Sequence, residues 1–215
     1  DAVDANVHLK NVSIEHSSNN KPLDAKKLVG LLGWKKTKNT QTLTVKSFNL
    51  ALDTGLLVEA ANGEWVTSSK NNKPWVDAYL SIQSIQLDKV AESAAYLSLP
   101  PTWLQWIEGV SPSGNIHTLK TAISGHLDHL QHYSASAEFS QLGVQAFREL
   151  PGFSNVSGNV DMNERKGEIQ LDTHDASLDL KDILRWPVPI DTMQGDVAWE
   201  INQQTTKIFV DKLQV

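Results

Sequence analysis

Apolar residues recur at every second position along most of the chain, and this alternation restricts the fold more than any other feature. Val7 and Leu9 alternate near the start, followed by Leu43 and Val45, and then by Phe48, Leu50 and Leu52 with one phase shift between the two sets. Such a shift predicts a bulge or a bend inside a strand. Val58 and Ala60 on one side and Trp65-Val66 on the other flank "ANGE", which reads as a tight turn. Val76, Ala78, Leu80 and Ile82 share one side of "WVDAYLSIQSIQL". Ile116, Leu119 and Ile123 follow, then Tyr133, Ala135, Ala137 and Phe139. The last third repeats the pattern: Val156 to Met162, the turn "NERKG", Ile169 and Leu171, Leu178 and Leu180, Val197 to Ile201, the turn "NQQTT", and Ile208 and Val210. About ten strands of roughly ten residues, each on the order of 33 Å long, joined by short polar turns, predict an antiparallel meander.

Two segments are spaced as helices. Leu87, Val90, Ala91, Ala94 and Leu97 follow i, i+3, i+4, i+7, and after Pro100-Pro101 so do Trp103, Trp106, Ile107 and Val110. Proline near the start and Gly109 with "SPSG" at the end fit helix boundaries. A helical hairpin is expected over 86–110, joining two sheet halves, 1–85 and 111–215. "DAKKLVGLLGW", near residue 24, reads as a third, short helix weakened by Gly30.

Two or three short helices cover only part of the apolar face that so many strands present. The remainder must curl on itself, pair with another sheet, or hold an apolar ligand. The expected class is therefore mostly β: either a closed sandwich or a curled, folded-over antiparallel sheet with an apolar interior, plus the short helical hairpin.

"HLDHLQH" gathers three of the chain's seven histidines. On a helix His126 and His132 stand too far apart for one metal, and on a strand His129 faces away from both. Gly125 before them and the alternation resuming at Tyr133 favour a polar bend joining two strands over a zinc site, so no metal is assigned. The chain has no cysteine, which removes disulfides, thiolate zinc sites and thiol nucleophiles. It contains no G-x-S-x-G, HExxH or Walker-type loop, and no enzyme or cofactor is expected. Lys plus Arg is 19 against 25 Asp plus Glu, with no basic stripe, which argues against nucleic acid as a partner. Of seven tryptophans, Trp103, Trp106 and Trp199 sit at core spacing; Trp34, Trp65, Trp75 and Trp186, beside turns or prolines, stay open.

Residues 139–200 are more specific than their periodicity. "LGVQAFRELPGF", "SNVSGNVDMNERKGEIQLD", "ASLDLKDILRWPVPID" and "MQGDVAWE", with "WLQWIEGVSPSGNIHTLK" upstream, resemble YhdP-type proteins of the AsmA-like superfamily, related to TamB. The resemblance runs from about residue 40 to the C-terminus. It implies one internal segment, 1–215, of a larger periplasmic protein anchored in the inner membrane, whose folded-over sheet carries phospholipids between inner and outer membranes along an apolar groove. The implied partners are phospholipid acyl chains and flanking segments of the same full-length chain, with membrane contact only through regions outside this segment. No catalytic residue is carried over.

From the clean alternations, the expected groove lining is Val156, Val160, Ile169, Leu171, Leu178, Val197, Ile201, Ile208 and Val210. Two other readings remain: a non-enzymatic scaffold of the cell envelope, and a carbohydrate-binding module using the peripheral tryptophans.

Overall fold

The computed structural model describes every residue except 17–18, 71–72, 97–98, 100, 127–128, 182 and 203–204, and leaves aside the side chains of 14–16 and 19–21. Eleven strands form one antiparallel sheet in strict sequence order: β1 (Ala2–His16), β2 (Asn19–Lys36), β3 (Thr40–Leu52), β4 (Leu57–Lys70), β5 (Lys73–Gln86), β6 (Ser113–His126), β7 (His129–Val144), β8 (Gly152–Asn163), β9 (Lys166–Asp179), β10 (Val188–Ile201) and β11 (Thr206–Gln214). Between β5 and β6 lie α1 (Leu87–Ser93), a 3-10 turn (Ala94–Tyr96) and α2 (Pro101–Val110). The sheet is curled and does not close: β1 and β11 do not pair with each other.

Alternation becomes sidedness through register. Directly paired residues share a face, so one row can be followed across every strand: Ala5, Leu32, Val45, Gly63, Leu80, Thr121, Ala135, Met162, Gly167, Trp199 and Ile208. The neighbouring row on the opposite face reads Asp4, Gly33, Thr44, Glu64, Tyr79, Ala122, Ser134 and Asn163. One face is apolar from edge to edge, and the other is mostly polar.

The curl has a local cause. Eight strands carry a non-glycine residue at positive φ: Asn11, Ser47, Ala60, Thr118, Gln141, Asn155, Asp175 and Lys212. Each lies where the apolar face changes parity, as from Val45 to Phe48 around Ser47. The phase shift read in the sequence is thus a bulge, and similar bulges recur along the sheet as a common bend line. A bulge orphans backbone groups, which must find new partners. Across β3 and β4 two asparagines supply them reciprocally. Asn62 Oδ1 accepts from Ser47 N at 2.8 Å while its Nδ2 donates to the Ala60 carbonyl at 2.9 Å. Asn49 Oδ1 accepts from Ala60 N at 3.1 Å while its Nδ2 donates to the Ser47 carbonyl at 2.9 Å. Across β8 and β9 the fully buried Thr173 hydroxyl accepts from Ser157 N at 2.8 Å and donates to the Ser157 carbonyl at 2.9 Å.

Two sequence expectations are corrected here. "ANGE" is no turn: β4 runs through it, with Asn62 clasping the bulges and Gly63 allowing the Tyr79 carbonyl to approach to 2.9 Å of where a Cβ would stand. "DAKKLVGLLGW" is no helix but part of β2. The register break at Ala25/Lys27 gives its inward residues a step of three from Ala25 to Leu28, and Gly30 leaves a gap of four from Leu28 to Leu32, which imitates helical spacing. The helices do fall within 86–110; Leu97 and Pro100, which helped define them, lie outside the described residues. Gly109 is not a helix cap: it sits inside α2, where a Cβ would lie 2.3 Å from the Phe147 ring.

Candidate functional site

The concave apolar face between β2 and β6 forms a trough of about 660 Å³. Leu28 and Leu32 of β2, Leu43, Val45 and Phe48 of β3, Val58 and Trp65 of β4, Ala78, Leu80 and Ile82 of β5, and Ile123 of β6 line it. The bend places residues from both arms of a strand on its walls, Leu43 and Val45 from before Ser47 and Phe48 from after it. Thr121 is the polar side chain on the lining row, and its hydroxyl donates to the Ser134 carbonyl at 3.0 Å rather than to a ligand. Glu64 and Tyr79 border the trough from the outward-facing row. The apolar lining offers dispersion and water exclusion.

One end is sealed. Buried Ala25, Leu52 and Leu56 form a core with Leu23, Leu50, Val58, Ile85 and, from α1, Val90. α1 is held there by a hydroxyl pair, half-buried Thr54 Oγ1 and fully buried Ser93 Oγ, at 2.7 Å.

The sheet continues the apolar rows past the trough. Ala137, Val160, Ile169, Val197 and Val210 are paired in one row across β7 to β11. Their flanking residues Asp161, Glu168 and Gln170 are exposed. The match to known proteins coincides with this architecture: the YhdP protein family model covers residues 1–215. The chain belongs to the YhdP protein family. Membership is consistent with the AsmA-like superfamily and marks a bacterial envelope family related to lipid transport. Comparison with curated proteins and with solved structures finds no match. Among the described residues no helix is long and apolar enough to cross a membrane.

In this YhdP-family segment all nine groove residues named from the sequence lie on β8 to β11, and none lines the trough. Val160, Ile169, Val197 and Val210 fall in the single row just described. Leu171 pairs with Gly158 and Gly195, Val156 with Leu142, and Leu178, past the Asp175 bulge, with Phe153 and Val188. Ile201 pairs with Thr206, and Ile208 with Trp199. Val156, Val160, Ile169, Leu171, Leu178 and Val197 are half-buried, while Ile201, Ile208 and Val210 are exposed. The trough residues carried the same two-residue signal. What alternation alone does not encode is which stretch the bend and α1 enclose.

The tryptophans divide differently from their spacing. Trp103 and Trp106 of α2 are 64% and 44% exposed and so are not core; among the described residues the helix meets the 145–151 loop through Phe147 and buries none of its own residues. Trp199 lies over Gly167, where a Cβ would meet its ring at 2.1 Å. Trp65 lines the trough, and Trp34 pairs with Leu43 beside it. Trp75 is buried: its indole donates to Asp77 Oδ2 at 3.0 Å, Lys70 Nζ lies 3.5 Å from the ring centroid, and His126 packs edge-on at 5.1 Å. Bonds from Ser124 and then Trp75 hold the Asp77 carboxyl below its ordinary pKa.

The histidines of "HLDHLQH" have separate partners. His126 ends β6 and bonds the Pro74 carbonyl through Nδ1 at 2.7 Å. His129 opens β7, and His132 Nδ1 lies 2.9 Å from Glu164 Oε1. The bend itself, residues 127–128 including Asp128, lies outside the described residues, as do residues 203–204 of "NQQTT".

Proposed function

We propose that this YhdP-family segment conducts phospholipids between the inner and outer membranes, with acyl chains lying against the apolar face and head groups at the open edge of the curl. The observation that carries the reading is the apolar row across eleven strands, with Thr121 its one polar side chain, deepened into an open trough between β2 and β6. Burial stabilises an acyl chain by roughly 0.8 kcal/mol per methylene. A face of constant chemistry keeps that gain nearly level from strand to strand, so a chain can slide without a deep trap. The role is non-enzymatic and periplasmic, and flanking segments of a longer chain would continue the path at either edge strand.

Native mass spectrometry of the purified chain tests this, with bound phospholipid the expected result. Val160→Asp and Val197→Asp should each lower binding of a fluorescent phospholipid, because an unpaired carboxylate on that face is costly. Asp161→Asn, on the opposite face, should not. Thermal unfolding run in parallel separates lost binding from lost folding. An empty wild-type chain whose inward charges only unfold it would mean a closed core and a scaffold role. Binding of oligosaccharide instead would mean a carbohydrate module.

A further inference from the structure

One rim of the sheet carries a second apolar feature, outside the trough. At the strand ends where α1 and α2 lie, the β7–β8 and β9–β10 connections also emerge. On this rim stand Trp103 and Trp106 of α2, Leu150, Ile183, Leu184 and Trp186, with exposures from 41% for Leu184 to 77% for Ile183. α2 buries none of its residues. It is held to the rim by the Trp106–Phe147 edge contact at 5.8 Å and by Gln145 N donating to the Val110 carbonyl at 2.7 Å. Exposing this much large apolar surface on a helix and two loops has a cost that folding does not offset, which marks it as a contact surface.

The charges and the shape point to its partner. After residue 112 the chain has eight cations and fourteen carboxylates, yet the loops 145–151 and 180–187 hold three of those cations and only two of the carboxylates. Arg148 lies 5.0 Å from the half-buried Phe147 ring and Arg185 lies 5.7 Å from the exposed Trp186 ring, so each cation sits beside an aromatic ring. With Glu108 the two loops and α2 together are neutral, on a half-sheet that is otherwise acidic. Tryptophan, arginine and aliphatic side chains together match the boundary between phosphate head groups and hydrocarbon. Trp103 and Trp106 share one open cleft with Ile107 on α2, while Ile183 and Trp186 stand apart from them on the 180–187 loop. A fluid phase closes around both groups without needing complementary pockets, whereas a protein partner would have to supply them.

We infer that this rim docks on a phospholipid surface, with Trp103, Trp106, Ile183 and Trp186 inserted at head-group depth and Arg148, Lys181 and Arg185 facing phosphate. The inference rests on the lipid-conducting reading and adds to it a membrane contact within the segment itself, where the sequence resemblance implied contact only outside it. A rim seated on a lipid surface next to an apolar face gives acyl chains a way onto that face without crossing water.

The test is co-flotation of the 215-residue chain with vesicles of phosphatidylethanolamine and phosphatidylglycerol. Wild type should float, with a blue shift of tryptophan emission. The double variant Trp103→Ser/Trp186→Ser and the single variant Ile183→Asp should each weaken binding by about tenfold or more, since both remove apolar area from the contact. These side chains are exposed, so circular dichroism should be unchanged. Phe209→Ser, which alters an exposed residue on the polar face and away from the rim, should float like wild type. Failure of wild type to float, or equal flotation of the rim variants, overturns the inference. Wild-type self-association that the rim variants abolish, without flotation, would make the rim a protein interface and also overturns it. The two readings separate cleanly: co-purified phospholipid without flotation sinks the docking rim alone, and flotation of a chain with an empty trough sinks conduction alone.

Discussion

The first half of the sheet is covered and the second is not, although both are built from the same alternation. Among the described residues, seven of the eight buried apolar side chains lie at or before Ala94, and only Ala176 belongs to the strands after α2. Over β2 to β5 the turn at 53–56 and helix α1 close one end of the curl around Leu52 and Leu56. Over β7 to β11 no helix packs on the apolar face, and β11 is exposed throughout. Apolar patterning therefore creates a face, and a separate element decides whether that face becomes core, cavity or open surface.

The sharpest way to break this comparison is to truncate one residue in each half. Leu52→Ala, at 1% exposure beneath α1, should cost about 2–5 kcal/mol in denaturant unfolding. Ile208→Ala, at 68% exposure, should stay within about 0.5 kcal/mol. Equal costs would mean that α1 does not define the core.

A second comparison asks whether the two halves form one path. Val45→Asp in the trough and Val160→Asp on the open row should both reduce phospholipid retained in native mass spectra, the trough variant more strongly because its carboxylate is less hydrated. Loss at only one position would divide the path in two.

The bend line can be probed through its clasp. Asn62→Ala strands Ser47 N and leaves the Ala60 carbonyl short of a partner, and should cost about 1–3 kcal/mol. Asn49→Ala acts on the same two bulges, so a double-mutant cycle should show the pair to be less than additive. Full additivity would mean that the bulges hold independently.

The smallest effect concerns acid. Because the Asp77 carboxyl is lowered in the folded chain, its contribution is present above the ordinary carboxylate range and is lost as pH falls through the folded value, below about pH 4. Asp77→Asn should flatten thermal stability against pH in that window by a small loss at neutral pH, leaving the acid end little changed. An unaltered acid profile would remove Asp77 from this role.

Strand order, hairpin registers and the phase shift at Ser47 were legible because each leaves a two-residue trace. β2 was misread because the register break at Ala25/Lys27 gives a step of three from Ala25 to Leu28, and Gly30 leaves a gap of four from Leu28 to Leu32, a spacing a helix also produces. "ANGE" was misread because Asn62 and Gly63 are turn residues whose chemistry, an amide that caps backbone groups and a missing Cβ, serves a bulge equally well. The helical spacing of Trp103 and Trp106 was right, yet spacing fixes which residues share a face and says nothing of whether another element meets it. For the same reason, the nine residues picked on β8 to β11 lie on the apolar face but outside the trough between β2 and β6.

The reciprocal asparagine clasp on β3 and β4 has a manufacturing consequence. Curvature made by single left-handed residues, carried by eight of the eleven strands, is specified hairpin by hairpin and not by the sheet as a whole. Length and cross-section are then independent variables, as in guttering pressed to one profile and cut to any run. Adding a hairpin lengthens the channel without changing its bore, and shifting one bulge by two residues deepens a single wall and leaves its neighbours untouched.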